Sequence, residues 1–309
     1  MTTRRYSPGR TRRAARGPAV SAVYPACMVS TETLINDVSD TARWAAAYRA
    51  IESSRKDALI CDPFADRMAG ASGYEIIQAA PKKVRSGLGV VVRTKIIDDL
   101  IQDSLAHGCT RVLNLAAGLD TRPYRLDLPA ELTWIEADLP RLVTEKTQLL
   151  ADETPKCRLE RHQVDLSEAA TLRSFLESAV VDPAQTLVIT EGLIQYLEDE
   201  QVSELASALR AANIQWWIVD VMNTTMQNGM ERSYGTMFEN APFRFVSDDP
   251  IAYLEERGWL ATDLESVYTH ARRAGRLPLK MRLLASVLEP DPRHAGNRPW
   301  AGVLRMSPA

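Results

Sequence analysis

The sequence predicts an α/β fold built on a Rossmann-like, largely parallel sheet. Two observations carry that expectation. First, the apolar run Arg111-Val112-Leu113-Asn114-Leu115 leads into the small-residue turn Ala116-Ala117-Gly118, and a second apolar run, Trp134-Ile135-Glu136-Ala137-Asp138, follows it. This is the layout of a nucleotide-binding β-turn-α-β unit, where a turn with little side chain lets a ligand approach the backbone closely. Second, Thr186–Thr190 is apolar throughout its centre, as befits a strand covered on both faces.

Composition narrows the class. The 309 residues suffice for one large domain, or a domain with a cap. The formal net charge of −3 provides no global basic field for nucleic acid. Cys27, Cys61, Cys109 and Cys157 are scattered, with no C-x-x-C pair and no clustered histidines, so neither a metal site nor a disulfide framework is expected. No apolar run approaches the ~20 residues of a membrane span, and the default expectation is a soluble cytoplasmic protein.

The elements follow in order. Residues 1–30 carry Arg4, Arg5, Arg10, Arg12, Arg13 and Arg16 with no acidic residue before Glu32, and are expected to be a disordered tail. Ser39–Ala50 reads as a helix capped by Ser39 or Asp40, with Trp44, Ala47, Tyr48 and Ile51 at helical spacing. Pro81–His107 reads as a second helical region, with a core stripe of Val91, Ile96, Ile97, Leu100, Ile101 and Leu105. Strands are expected at 111–115, 134–138, 158–164, 186–190 and 216–221, and helices at 142–150 and 198–211. The last two strands are expected at 264–269 and 281–288, forming a hairpin across a basic connector, and 291–309 is expected to be an irregular, Pro-rich tail.

The turn also indicates its ligand. The spacing G-x-G-x-x-G is absent there, and the second glycine of that fingerprint is the one that admits a pyrophosphate. A nucleoside ligand without a pyrophosphate fits better, and S-adenosylmethionine meets that description. Glu136 and Asp138 lie two apart near a strand's C-terminal end, where one carboxylate can accept from both ribose hydroxyls. Asp165-Leu166, after the third strand, can read an adenine edge, or Asp165 can simply cap a helix near Ser167. Glu191 follows the fourth strand, at the sheet edge where ligands of open α/β sheets bind.

Four segments resemble the leucine carboxyl methyltransferase family, whose bacterial branch includes polyketide O-methyltransferases of the tetracenomycin type. They are Asn114-Leu115-Ala116-Ala117-Gly118-Leu119-Asp120-Thr121-Arg122, Glu136-Ala137-Asp138-Leu139-Pro140, Val164-Asp165-Leu166, and Thr190-Glu191-Gly192-Leu193-Ile194-Gln195-Tyr196-Leu197. The likeness runs in order and at family spacing from about Thr41 to about Leu288. It implies a seven-stranded class I methyltransferase sheet over 31–290 with an antiparallel final strand. The helical cap is expected from 31–108 and 222–262.

The resemblance also implies a site. Asp138 becomes the ribose ligand, Asp165 and Leu166 the adenine site, and Arg93 the partner of the cofactor carboxylate. Arg49 competes for that last role, or pairs with Glu52 or Asp62. Ala116 and Gly118 border the cofactor; Ala116 stands where the family has glycine, a change tolerable if the residue's φ is negative. Glu191 contacts the cofactor and, with Tyr196, is the candidate catalytic residue. Met222, Met226, Met230 and Met237 are either core packing or the wall of an apolar acceptor pocket. Asp120, Arg122 and Arg125 are open between structural pairing and substrate contact.

The expected activity is S-adenosylmethionine-dependent O-methylation of a hydroxyl or carboxyl on a small molecule, with no metal, nucleic-acid or membrane partner. An NAD(P)-dependent oxidoreductase and a non-catalytic cofactor-binding protein are the alternatives. The missing glycine spacing opposes the first.

Overall fold

The computed structural model describes residues 35, 37–277 and 290–309. The strands β1 (Arg111–Leu115), β2 (Thr133–Asp138), β3 (Arg158–Gln163), β4 (Thr186–Thr190), β5 (Trp216–Met222), β6 (Trp259–Ser266) and β7 (Ala301–Pro308) form one sheet in the order β3-β2-β1-β4-β5-β7-β6. The first five are parallel, with Leu113 opposite Ile135 on one side and Val188 on the other. β7 runs antiparallel between β5 and β6. Strand order reverses at β1, so the crevice between the C-terminal ends of β1 and β4 is where this sheet type binds ligands.

The central strands are apolar on both faces because both are covered. One face packs Leu113, Leu115, Val188 and Val219 against Leu172 and Phe175 of α6 (Ala169–Ala179) and Val202 and Leu205 of α7 (Asp199–Ala211). The other packs Val112, Trp134, Ile189 and Ile218 against Val92, Ile96 and Leu100 of α3 (Leu88–Ala106). A third cluster joins α1 (Val38–Ser53) and α2 (Ala65–Ala79) through Trp44, Tyr48, Met68 and Ile76 to Leu119 and Leu142, and forms a helical layer over the crevice. Among the described residues, no helix is long and apolar enough to cross a membrane.

Most expected strands fall within a residue or two of their positions; α3 begins at Leu88 rather than Pro81, after a short 3-10 turn at Lys82–Val84, and three further features differ. The cap of α1 is Asp37, whose carboxylate accepts from Ser39 N at 2.8 Å, rather than Ser39 or Asp40. Strand β6 begins earlier than expected, at Trp259, and ends where Ser266 Oγ accepts from Thr269 N and starts the helix α10 (Val267–Arg273). A serine hydroxyl at that point favours a helix start over continued extension.

The third difference is the final strand. Residues 281–288 and the 1–30 tail lie outside the described residues. The antiparallel strand next to β5 is instead Ala301–Pro308, inside the stretch expected to be irregular. Pro290, Pro292 and Pro299 precede this strand and Pro308 ends it, so no proline interrupts the ladder. Gly302 is required there: a Cβ would stand 2.5 Å from Trp300 Cζ2 and 2.8 Å from Glu265 O.

Because β7 supplies the hydrogen-bonding partner of both β5 and β6, ending the chain at Pro299 exposes two strand edges and uncovers Val303, Leu304 and Met306 contacts. The truncated protein is expected to lose its cooperative thermal transition in calorimetry. A transition at the full-length temperature would show that the sheet closes without β7.

Candidate active site

A cavity of about 410 Å³ opens at the C-terminal edge of β1, β2 and β4, under the start of α1. Arg93, Ala116, Gly118, Asp138, Asp165, Leu166, Glu191 and Tyr196 all line it. Residues from five separated stretches therefore converge, because parallel strands deliver the loops at their C-terminal ends to one side of the sheet.

The turn after β1 and the end of β2 are locked together. Asp138 Oδ2 accepts from Gly118 N at 2.6 Å, and Oδ1 accepts from Leu139 N at 2.7 Å. Burial pushes the Asp138 carboxyl above its usual range, against the opposing pull of those two N–H groups. Each oxygen keeps a lone pair, which suits a ribose diol. Glu136 does not share this role. It is buried and pairs with Lys146 Nζ at 2.8 Å and Arg161 Nε at 2.9 Å, so its neighbours hold the strand rather than a ligand.

The φ of Ala116 is +54°, in the left-handed region, so the condition under which alanine replaces glycine there without strain, a negative φ, is not met. An L-residue there costs about 1–2 kcal/mol. The turn therefore stores strain at the point where a ligand meets the backbone.

Asp165 is exposed and its Oδ1 accepts from Ser167 N at 3.0 Å and Ser167 Oγ at 2.7 Å. It forms a local turn rather than the helix cap; α6 starts later, at Ala169. Its second oxygen is left for a ligand donor beside Leu166. Tyr196 bonds Thr41 of α1, and burial raises its phenol above the usual range despite that bond. This contact ties the loop after β4 to the layer above the cavity.

Glu191 sits between two guanidiniums. Oε1 accepts from Arg93 Nε at 3.0 Å and Oε2 from Arg122 Nη1 at 2.7 Å. Burial acts to raise its pKa, but Arg122 and Arg93 override that and hold it below the usual range. Arg93 also donates from Nη1 to Asp220 at 2.9 Å. Its Nη2 has no hydrogen-bond partner among the described residues.

Arg122 extends this pair into a chain. It donates to Asp98 at 2.7 Å and to Asp120 at 2.9 Å. Arg125 grips both oxygens of Asp98 at 2.7 and 2.8 Å, and its Nε lies 3.9 Å from Asp62. Asp62 accepts from Arg49 at 2.9 Å, and Arg49 also reaches Leu119 O at 2.7 Å. Arg49 and Arg122 thus make structural ion pairs while still bordering the cavity, and Arg125, off the cavity wall, is a structural cation.

Asn114, Asp98 and Asp220 were not singled out from sequence. Asn114 interrupts an apolar strand, a detectable signal, and donates to Asp120 at 2.8 Å. Asp98 and Asp220 left no local signal, since their partners lie far away in the chain. Met222, Met226, Met230 and Met237 do not line the cavity; they are half-buried around α8 (Thr224–Tyr234), so of the two alternatives the pocket wall is not met in this cavity.

A parallel Rossmann-like sheet with an antiparallel final strand, and a small-residue turn facing a buried carboxylate, define a class I S-adenosylmethionine-dependent methyltransferase. Similarity to known proteins agrees. The sequence model of leucine carboxyl methyltransferases matches residues 42–210. A candidate S-adenosyl-L-methionine-dependent methyltransferase of Streptomyces avermitilis is 30% identical over 252 residues, covering 76% of this chain and 87% of that protein. One from Mycolicibacterium smegmatis is 30% identical over 280 residues, covering 82% and 94%. The crystal structure of a candidate methyltransferase from Thermobifida fusca shares the fold at a TM-score of 0.52 and 15% identity, covering 89% of this chain and 96% of that one. The chain belongs to the leucine carboxyl methyltransferase family and is an S-adenosylmethionine-dependent methyltransferase.

Two outcomes follow from the geometry. Ala116→Gly relieves the left-handed strain but gains unfolded-state freedom worth about 0.4–1 kcal/mol, for a net stabilisation of about 0.5 kcal/mol. The melting temperature is expected to rise by about 1–2 °C; a fall would mean the methyl packs more than it strains. Glu191 has a depressed folded-state pKa, so its stabilisation is present above its ordinary 4.5 and is lost as pH falls through the folded value. Glu191→Gln should cost about 3 kcal/mol at neutral pH and flatten the acid limb below 4.5 in urea titrations; an unchanged acid limb would contradict the ion-pair assignment.

Proposed function

We propose that the protein transfers the S-adenosylmethionine methyl group to a hydroxyl or carboxyl oxygen of a small molecule, with polyketide-type secondary metabolites as the acceptor class. The observation that carries this reading is the convergence of the eight sequence-derived site residues on one cavity. In it, Asp138 takes the ribose hydroxyls, and Asp165 with the Leu166 N–H takes the adenine edge. Ala116 and Gly118 allow close approach of the nucleoside. Arg93 offers Nη2 to the methionine carboxylate. Glu191 and Tyr196 stand at the reacting end.

Bound S-adenosylmethionine supplies an electrophilic methyl on a sulfonium that departs as a neutral thioether. The protein's part is to align the acceptor oxygen with that methyl and keep water out, which supplies much of the rate in a direct displacement. Glu191 is held ionised by two arginines and acts as a fixed charge rather than a proton acceptor. Tyr196, with its raised pKa, stays neutral and positions by hydrogen bonding. With neither group set up as a base, an acceptor that is already ionised fits best, a carboxylate or an acidic phenol. An apolar surround favours an otherwise hydrophobic acceptor, and Trp44, Leu193 and Leu197 at the cavity wall provide it.

Calorimetric titration with S-adenosylhomocysteine tests the site. Wild type is expected to bind at micromolar concentration, and Asp138→Ala or Asp165→Ala to lose about tenfold or more. A folded wild type that does not bind would sink the assignment. Methyl transfer to a panel of aromatic acids and phenols then separates the products: a base-labile methyl is an ester, a base-stable one an ether.

A further inference from the structure

The buried ionic chain beside the cavity carries unequal charge. Its carboxylates are Asp62, Asp98, Asp120, Glu191 and Asp220. Its guanidiniums are Arg49, Arg93, Arg122 and Arg125. Among the described residues, five anions face four cations, a surplus of one negative charge. The nearby triad of Glu136 with Lys146 and Arg161 carries one surplus positive charge, but Asp138 stands between it and the cavity and offsets it. Lys146 also acts on Asp120, but with Glu136 and Asp138 counted alongside Lys146 and Arg161, seven carboxylates stand against six cations among the described residues, and the surplus of one remains.

The terminal member of the chain is Asp220, on β5 and 4% exposed. It is not part of the cavity wall. One layer behind that wall, it accepts from Gly192 N at 2.7 Å, Gln195 Nε2 at 2.8 Å and Arg93 Nη1 at 2.9 Å. Glu191 already shares Arg93 and Arg122, so Asp220 is the carboxylate that takes Arg93 from partial to full neutralisation. Without it, the chain's four remaining carboxylates would only balance its four guanidiniums.

We infer that Asp220 is a specificity-determining residue that makes the cavity favour the charged sulfonium cofactor over its neutral thioether product. The inference rests on the placement of the methionine end beside Arg93 and Glu191. Substrate and product share the adenosine, the ammonium and the carboxylate, so those contacts cancel in a ratio of affinities. They differ by a methyl and one positive charge. In a buried site with a low effective dielectric, that charge senses the surplus carboxylate over several ångströms. Transfer of the methyl removes the charge and weakens the hold on the product, which favours its release.

The test is the ratio of dissociation constants for S-adenosylhomocysteine and S-adenosylmethionine, measured calorimetrically on wild type, Asp220→Asn and Asp220→Glu. Asparagine keeps the size and the acceptor for Gly192 N. Gln195 Oε1, buried without a partner among the described residues, can turn to receive the new amide. Asp220→Asn is expected to shift the ratio about tenfold towards the thioether, equivalent to about 1.4 kcal/mol. Asp220→Glu retains the charge and should keep the wild-type ratio even if both affinities fall. If Asp220→Asn does not fold, Asp220→Ser removes the same unit of charge at the same position, keeps an acceptor for Gly192 N and is read the same way. An unmoved ratio in a folded neutral variant, with both ligands weakened together or neither, overturns the inference while leaving the cofactor site intact. Failure of folded wild type to bind either ligand removes the placement itself, and the inference with it.

Discussion

The structure depends on one buried guanidinium. Arg122 is 1% exposed and lies among Asp98, Asp120 and Glu191, groups from α3, the turn after β1 and the end of β4. An isolated charge in such a place would cost several kcal/mol in lost hydration. It is tolerable only because its charged partners are held in hydrogen-bonding geometry by separate elements. Asp98 is in turn shared with Arg125 and Glu191 with Arg93, while Asp120 is held by Asn114, so the arrangement stands or falls as a unit. Removing one carboxylate leaves a buried cation short of a partner, and the layers above and below the sheet lose their common anchor.

This unit explains the chemistry at the cavity. Glu191 resembles a catalytic acid or base when seen only as a carboxylate at a sheet edge. Between Arg93 and Arg122 it stays ionised with both oxygens engaged, and becomes part of the electrostatic wall. Methyl transfer from a sulfonium makes little demand for proton movement, so a wall of fixed charges suits the reaction. Asp138 shows the opposite balance. Two backbone N–H groups are its close partners, burial prevails, and the carboxyl remains easier to protonate. Two carboxylates bordering one cavity thus differ because one faces arginines and the other faces amides.

The layer above the cavity is bound to the same unit. Arg49 of α1 reaches down to Leu119 O and Asp62, and Tyr196 holds Thr41. These contacts cross from the helices to the loops of the sheet at the crevice itself. The apolar cluster around Trp44, Tyr48 and Met68 supplies the remaining adhesion. Covering the site and neutralising it are therefore done by the same elements.

By itself, the sequence determined the parallel half of the sheet, since β1, β2, β4 and β5 are short apolar runs that both faces must bury. The residues it singled out after β1, β2, β3 and β4 line one cavity, because parallel strands bring their C-terminal ends to the same side of the sheet whatever the loops between them do. The tail was misread because prolines at its start and end suggested irregular chain, while Val303, Leu304 and Met306 between them had a sheet edge waiting to be filled. Only the tertiary structure decided the positive φ of Ala116, which follows from how the turn must meet Asp138 rather than from local preference. Only it assigned Glu136 to Lys146 and Arg161, and Arg93 to Glu191 and Asp220. Burial periodicity is written along the chain, but the partner of a buried charge is chosen across it, by whichever distant group the packing brings within hydrogen-bond reach.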